Sequence, residues 1–409
     1  MNGSGKWHAE QAWLGHAAQN VLIEVEGGRI KSIGEGVAAP QDAVVLRGWT
    51  FPGFANAHSH AFQRLLRGEV ESSGGDFWEW RSRMYGFADW DPADYFNHAR
   101  RVFREMLEAG ITAVGEFHYL HAHGNELGVA LIDAAREEGI RITLIDACYL
   151  RGGLDGSPLG PEQQSFSDGD ADSWARRVSE LREADGVRIA AAIHSVRAVD
   201  PESMRIVATW ARDRKAPLHI HLAEQPAEVE ECLRVEGCTP AELLEREGIL
   251  GPDLTAVHAI HVNERDITLL GQHEVNICAC PTTERDLGDR VGPLVALCDA
   301  GCGLTLGSDS NAAIDMLEEA RGVELDQRRA TGRRVLHEPE ELFCAATVNG
   351  MRALGWDAGE LRAGTLADFV TLQREDAERR DIGLAQLIYT FGGRDVTNVV
   401  VGGETVLQK

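Results

Sequence analysis

Short apolar runs rich in Val, Ile, Leu and Ala recur along the chain, and between most of them lie stretches whose apolar residues return every three to four positions. Runs of the first kind are buried strands and stretches of the second kind are amphipathic helices. The strand-like runs fall at 50–57, 111–117, 140–149, 187–194, 217–222, 254–262, 275–280 and 303–307. Helical patterning occupies 95–109, 127–138, 174–184, 203–214, 229–237 and 263–270. Strands alternating with helices in this way predict an α/β chain, a (β/α)8 TIM-like barrel. Ahead of the barrel, 20–35 and 43–50 read as short strands around Gly27-Gly28; behind it come helical stretches at 316–331 and 339–354, then β character at 369–372 and 396–407. Pairing the two ends predicts a small β-sandwich domain built from 1–50 and 362–409, with the barrel over 51–361.

Polar residues interrupt this pattern where the strands end. Pro52-Gly-Phe-Ala-Asn-Ala-His58-Ser-His60 closes the first run with two histidines one residue apart. On a strand, positions i and i+2 share a face, so both imidazoles reach one point. The theme returns in His221 after Pro217-Leu-His-Ile, His258 after Leu254-Thr-Ala-Val, and Asp309 after Gly303-Leu-Thr-Leu-Gly-Ser. Barrel active sites lie at the carboxyl ends of the strands. His58, His60, His221 and Asp309 are therefore read as ligands of one divalent metal, Zn²⁺ first, with Fe²⁺ or Mn²⁺ also suited to imidazole and carboxylate. Lys215 is the one lysine near a barrel strand and precedes it, at the wrong end to bridge two metals, which favours a single ion. A metal lowers the pKa of bound water from about 15.7 to about 7. Glu224, three residues past His221, is placed to take a proton from that water and return it to a leaving nitrogen. His258 would orient the nucleophile or stabilise the adduct, and Gln63, three residues past His60, would bond a substrate nitrogen. His261 reads as structural. A protein that merely binds a ligand on this fold would be expected to lack one of the metal ligands, and none is missing.

Composition narrows the partners. The net charge of −25 disfavours nucleic acid and anionic membrane surfaces. No apolar run approaches the roughly 18 residues of a membrane span, and the N-terminus lacks the apolar core of a signal peptide, so a cytoplasmic enzyme is expected. The 8 cysteines are scattered. Cys278 and Cys280 form C-x-C without a second pair at zinc-site spacing, and read as buried reduced thiols.

The order His-x-His, His, His, Asp resembles the amidohydrolase superfamily, in particular its one-metal deaminase branch, as does Gly364-Thr-Leu-Ala-Asp368-Phe-Val near the C-terminus. Longer motifs carry the likeness further: His58-Ser-His60-Ala-Phe-Gln63-Arg, Phe77-Trp-Glu-Trp-Arg81, Glu116-Phe-His-Tyr119, His194-Ser-Val-Arg197, His221-Leu-Ala-Glu224-Gln and Pro281-Thr-Thr-Glu-Arg-Asp-Leu-Gly288-Asp. These resemble the formimidoylglutamate deiminases of histidine degradation over essentially the whole chain, with Arg285 and Asp286 adding charge beside the matching positions. The resemblance implies a small dicarboxylate substrate, N-formimino-L-glutamate, converted to N-formyl-L-glutamate and ammonia. It implies that Arg197, His194 and Tyr119 hold the α-carboxylate and Arg81 the side-chain carboxylate, as arginine forks do. Arg83 is the rival to Arg81. Phe77, Trp78, Trp80 and Trp90 are either a water-excluding lid or the packing of a long loop. A homodimer is the expected assembly. The alternative enzyme is a deaminase of the same superfamily acting on a nucleobase-like ring.

Overall fold

The computed structural model describes residues 1–68, 77–374 and 383–409. Four strands open the chain: β1 (Gly5–Trp13), β2 (Ala17–Glu26), β3 (Arg29–Gly34) and β4 (Val44–Pro52). Eight follow, β5 (Phe54–Ser59), β6 (Ile111–His118), β7 (Arg141–Cys148), β8 (Val187–Ser195), β9 (Leu218–Leu222), β10 (Leu254–His258), β11 (Asn276–Ala279) and β12 (Gly303–Leu306). The chain ends on β13 (Phe369–Leu372), β14 (Val396–Val401) and β15 (Glu404–Gln408).

Strands β5 to β12 lie side by side in chain order, with every neighbouring pair parallel. Helices wrap their outer surface, so the strands are covered on both faces. Every residue of β6, β7, β9 and β10 is buried, which is why these segments read as unbroken apolar runs. The first and last strands meet at a parallel bridge between Ser59 and Asp309. There the His60 N–H donates to Asp309 O at 2.9 Å and the Asp309 N–H donates to His58 O at 2.9 Å. The barrel therefore closes through the backbone of predicted metal ligands.

The terminal strands form a mixed sheet in the order β15-β14-β13-β4-β1-β2-β3. It folds over a core of its own around Trp7, Val21, Ile23, Phe369 and Val400, with Trp7 set edge-on to Phe369 at 5.5 Å. Patterning does not predict β1, because Gly5–Trp13 carries no run of β-branched residues. The run at 50–57 divides at Gly53: Thr50, Phe51 and Pro52 pair with β13 in the terminal sheet, and Phe54 starts the barrel. The cause is close passage. A Cβ on Gly53 would sit 2.2 Å from Thr112 Oγ1, so only glycine passes from one sheet to the other here. The strand expected over 254–262 stops at His258, where φ turns to +72°. No described helix is long and apolar enough to cross a membrane.

A buried ion pair ties the two sheets together. Arg141 on β7 donates through Nε and Nη2 to Asp368 at 2.6 and 3.0 Å, and the Gly402 N–H donates to the same carboxylate at 2.7 Å. Removing one partner leaves the other charge buried and alone, at a cost of about 3–5 kcal/mol. Asp368→Ala is expected to lower stability by that amount in urea titrations of the metal-loaded protein, and the double variant with Arg141→Met to recover much of it. A loss below about 1 kcal/mol in the single variant would show that the pair does not join the sheets.

Candidate active site

At the carboxyl end of the barrel, His58 and His60 from β5 and its exit, His221 from β9 and Asp309 just past β12 converge with their ligand atoms within 4.8 Å of one another. His60 donates its Nδ1–H to Phe117 O at 2.9 Å, and His221 donates its Nδ1–H to His194 O at 3.0 Å. These bonds leave the Nε2 atom of each ring as a lone pair facing inward. His58 Nε2 stands 3.2 Å from His221 Nε2, and Asp309 Oδ1 stands 3.3 Å from Nε2 of both His58 and His60. The Nε2 lone pairs of His60 and His221 and the Asp309 carboxylate thus converge on one point, where a cation would be held. Burial holds all three imidazoles in the neutral form, with His60 pushed down to about 3, and Asp309 stays ionised because bonding to His58 outweighs its burial. Three neutral nitrogens and one carboxylate are the donor set of a catalytic metal with an open position.

The backbone is bent to make this cage. Ala223, His258 and Asp309 take φ of +48°, +72° and +44° at the strand exits, a region that costs non-glycine residues about 1–3 kcal/mol. Gly307 lets β12 approach His58, since a Cβ there would lie 2.8 Å from His58 Cβ.

A narrow cavity, open at its mouth, rises above the cage. Its lining includes Gln63, Arg81, Tyr119, His194, Arg197, Glu224 and His258, so the structure brings the residues singled out in the sequence to one place. Glu224 is buried, and desolvation pushes its carboxyl up to about 8 although His258 and Arg197 pull it down. Its Oε1 is 3.8 Å from His258 Nε2. His258 Nδ1 meets Glu284 Oε1 at 3.2 Å, and the surrounding carboxylates keep the ring charged despite its burial. Gln63 Nε2 donates to Tyr119 Oη at 3.1 Å, while its Oε1 is buried without a donor. The Arg81 guanidinium lies 4.6 Å above the Trp78 ring with Nε buried and without an acceptor. Arg197 gives Nε to Glu228 at 2.7 Å, brings Nη2 to 3.9 Å from Glu224 Oε2, and lines the cavity. His194 is kept neutral by burial and by Arg197.

Other expectations resolve differently. Arg83 points away from the cavity and pairs with Glu79 at 3.2 Å. Phe77 and Trp80 line the cavity, whereas Trp90 packs on Tyr95 and His98. His261 is outside the lining and is fixed by its backbone N–H to Ala223 O at 2.8 Å. Cys278 and Cys280 are buried free thiols beneath the cage; Cys280 also groups with His258 and Asp309 as possible ligands, but burial keeps its thiol neutral. Sequence reasoning misses Tyr85, Tyr149, Glu228 and Glu284. None carries a spacing signal of its own. A further set of metal-ligand type, His118, His121 and Asp146, packs against the helices outside the barrel. There Arg177 takes the place of a cation, donating to both oxygens of Asp146 at 2.8 and 2.9 Å and to His121 Nε2 at 3.1 Å.

A model of the amidohydrolase family matches residues 49–406. The chain belongs to the amidohydrolase family. A formimidoylglutamate deiminase of Pseudomonas aeruginosa is 32% identical over 98% of this chain and 94% of its own length. A 5-methylthioadenosine/S-adenosylhomocysteine deaminase of Natronomonas pharaonis is 29% identical over 95% of this chain and 88% of its own. An amidohydrolase from Brucella melitensis superposes with a TM-score of 0.92 at 33% identity, covering 99% of this chain and 95% of its own. The protein is accordingly an amidohydrolase-family deaminase, a metal-dependent hydrolase of a carbon–nitrogen bond.

The cage predicts about one equivalent of divalent metal per chain by elemental analysis. His60→Ala or Asp309→Ala should lose most of it together with activity. Two tightly held ions per chain in active enzyme would contradict the single cage.

Proposed function

We propose that the protein hydrolyses the terminal C=N bond of N-formimino-L-glutamate, releasing ammonia and N-formyl-L-glutamate. The observation that carries this reading is the pair of guanidinium groups, Arg81 and Arg197, lining the same cavity as the His/Asp cage, with no acceptor for Arg81 Nε among the described residues. A buried donor without a partner is costly, and a carboxylate supplies what it lacks. A flat nucleobase offers no such group. The identity to the Pseudomonas deiminase supports the same substrate.

A divalent ion in the cage, most readily zinc, supplies a water acidic enough to attack near neutral pH. The remaining chemistry falls to this chain's side chains. Glu224 takes the proton from the water and hands it to the departing nitrogen; burial gives its carboxylate the proton affinity for both transfers. Gln63 Oε1, free of other donors, accepts an N–H of the formimino group. His258, oriented by Glu284, donates toward the oxygen as negative charge develops there. Arg197, His194 and Tyr119 hold the α-carboxylate and Arg81 the side-chain carboxylate, which places the amidine over the cage. Water adds to the amidine carbon as Glu224 passes its first proton to the terminal nitrogen; the proton of the adduct's hydroxyl then goes by the same carboxylate to that nitrogen as the C–N bond breaks and the formyl C=O forms, and ammonia leaves.

Ammonia release from N-formimino-L-glutamate, set against 5′-deoxyadenosine and a nucleobase panel, tests the substrate. Turnover of a nucleoside alone would overturn the reading. Glu224→Gln should retain the metal and lose at least about 100-fold in kcat. Loss of one arginine fork should cost roughly 10- to 150-fold in kcat/KM. Arg81→Met should penalise the glutamate derivative far more than an N-formimino amino acid lacking the side-chain carboxylate, and Arg197→Met should penalise both alike. Equal losses from both variants on both substrates would refute two separate anchors.

A further inference from the structure

Tyr85 and Tyr149 also line the cavity, and nothing in the chemistry above uses them. They come from different elements: Tyr85 ends the helix Phe77–Tyr85, and Tyr149 directly follows β7. Both are held by Gln163, a buried residue of the short 3-10 helix Pro161–Phe166. The Gly160 N–H donates to Gln163 Oε1 at 2.9 Å. A backbone N–H can only donate, so this bond fixes which end of the amide is oxygen and turns the NH2 group toward the tyrosines. Gln163 Nε2 then donates to Tyr149 Oη at 2.7 Å and to Tyr85 Oη at 3.2 Å. Both hydroxyls are therefore acceptors toward Gln163, and each keeps a proton of its own to place. One proton can pass to the other hydroxyl of the pair. Two phenols cannot satisfy each other's protons at once, so at least one O–H remains for another acceptor. Among the described residues no other acceptor is placed within hydrogen-bonding distance of either hydroxyl. Burial pushes the Tyr85 phenol well above its ordinary range, so that proton stays on.

The surroundings are cationic. Arg81 lies over the Tyr85 ring at 5.7 Å, and the Tyr149 ring packs on the neutral His194 at 4.4 Å, next to Arg197. Arg81 and Arg197 both act electrostatically on the Tyr85 hydroxyl. An acceptor drawn into this corner is an anion.

We propose that Tyr85 and Tyr149, turned by Gln163, are hydroxyl donors to the substrate's carboxylates, Tyr85 at the Arg81 anchor and Tyr149 at the anchor formed by His194 and Arg197. The proposal rests on the dicarboxylate reading given above and adds the residues that discriminate a carboxylate from an uncharged group. Gln163 is a positioning residue: it touches no ligand and sets the direction in which both phenols donate.

Tyr85→Phe and Tyr149→Phe remove the donors while keeping the rings. Each is expected to raise KM for N-formimino-L-glutamate about tenfold, the loss of one hydrogen bond to a charged group, with kcat within about threefold. Calorimetric binding of glutarate to the metal-loaded enzyme reads the same site without turnover, so it separates this proposal from the choice of reaction. Its Kd should weaken by the same factor in both variants. The decisive comparison is at Gln163. Gln163→Glu presents acceptor oxygens that take the phenolic protons away from the ligand, whereas Gln163→Leu leaves the phenols free to donate. The glutamate variant should weaken glutarate binding at least about tenfold more than the leucine variant, at matched thermal midpoints. A purely structural latch predicts the leucine variant to be the worse. Phenylalanine variants within twofold of wild type in glutarate Kd, equal effects of the two Gln163 variants, or no glutarate binding by the wild-type enzyme would each overturn the proposal.

Discussion

The closure of the barrel between its first and last strands is the constraint on which the rest depends. Main-chain bonds between His58, His60 and Asp309 make this seam, so the carboxylate ligand is registered to the histidine pair by backbone rather than by side-chain packing. Side chains stitch the same seam. Asn56 exchanges two bonds with Ser308, one through Nδ2 to Ser308 Oγ at 2.6 Å and one from the Ser308 N–H to Oδ1 at 2.9 Å. Asn311 reaches back to Ser59 Oγ at 3.1 Å and to His60 O at 3.0 Å, and Arg64 grips Asn311 O at 2.6 Å. The positive φ at Asp309 and Asn311 persists because this network over-determines the turn. A cage assembled from strand ends needs such bracing, since misplacement by about 1 Å costs on the order of 100-fold in rate.

Charge is arranged in shells around that seam. The interior of the cage is neutral apart from Asp309, because burial strips protons from the histidines. Around it His258 lies between the carboxyl groups of Glu224 and Glu284, and Arg81 and Arg197 line the cavity beyond them. The chain as a whole carries −25 and would repel a dianion. Exposed charges beyond about 8 Å are largely screened at physiological salt, so the local field at the cavity is set by the half-buried Arg81 and the buried Arg197 rather than by the net charge.

Legibility in the sequence followed the range of the interaction. The barrel strands are recognisable because parallel strands covered on both faces leave continuous apolar runs. The cage is recognisable because His58 and His60 share a strand face and each other ligand ends its own run. The passage at Gly53 was hidden, since it depends on Thr112, a residue of another strand. Glu228 was hidden for a related reason: its partner Arg197 is 31 residues away. The cluster of Tyr85, Tyr149 and Gln163 shows the limit most clearly. Gln163 is 78 residues from Tyr85 and lies on a loop helix with no periodic signal. Only the folded chain puts the three side chains at one corner. Arg81 was picked out by family resemblance alone; in the folded chain Arg81 lines the cavity, whereas Arg83 pairs with Glu79.

The central claim is that one metal and two arginine anchors share a single cavity. An X-ray structure of the zinc-loaded protein with N-formyl-L-glutamate, recorded at the zinc absorption edge, tests it most directly. The account predicts a single anomalous peak bonded to Nε2 of His58, His60 and His221 and to Asp309, with the ligand's carboxylates on Arg81 and Arg197. A peak among His118, His121 and Asp146, or a ligand that leaves both arginines untouched, would contradict it.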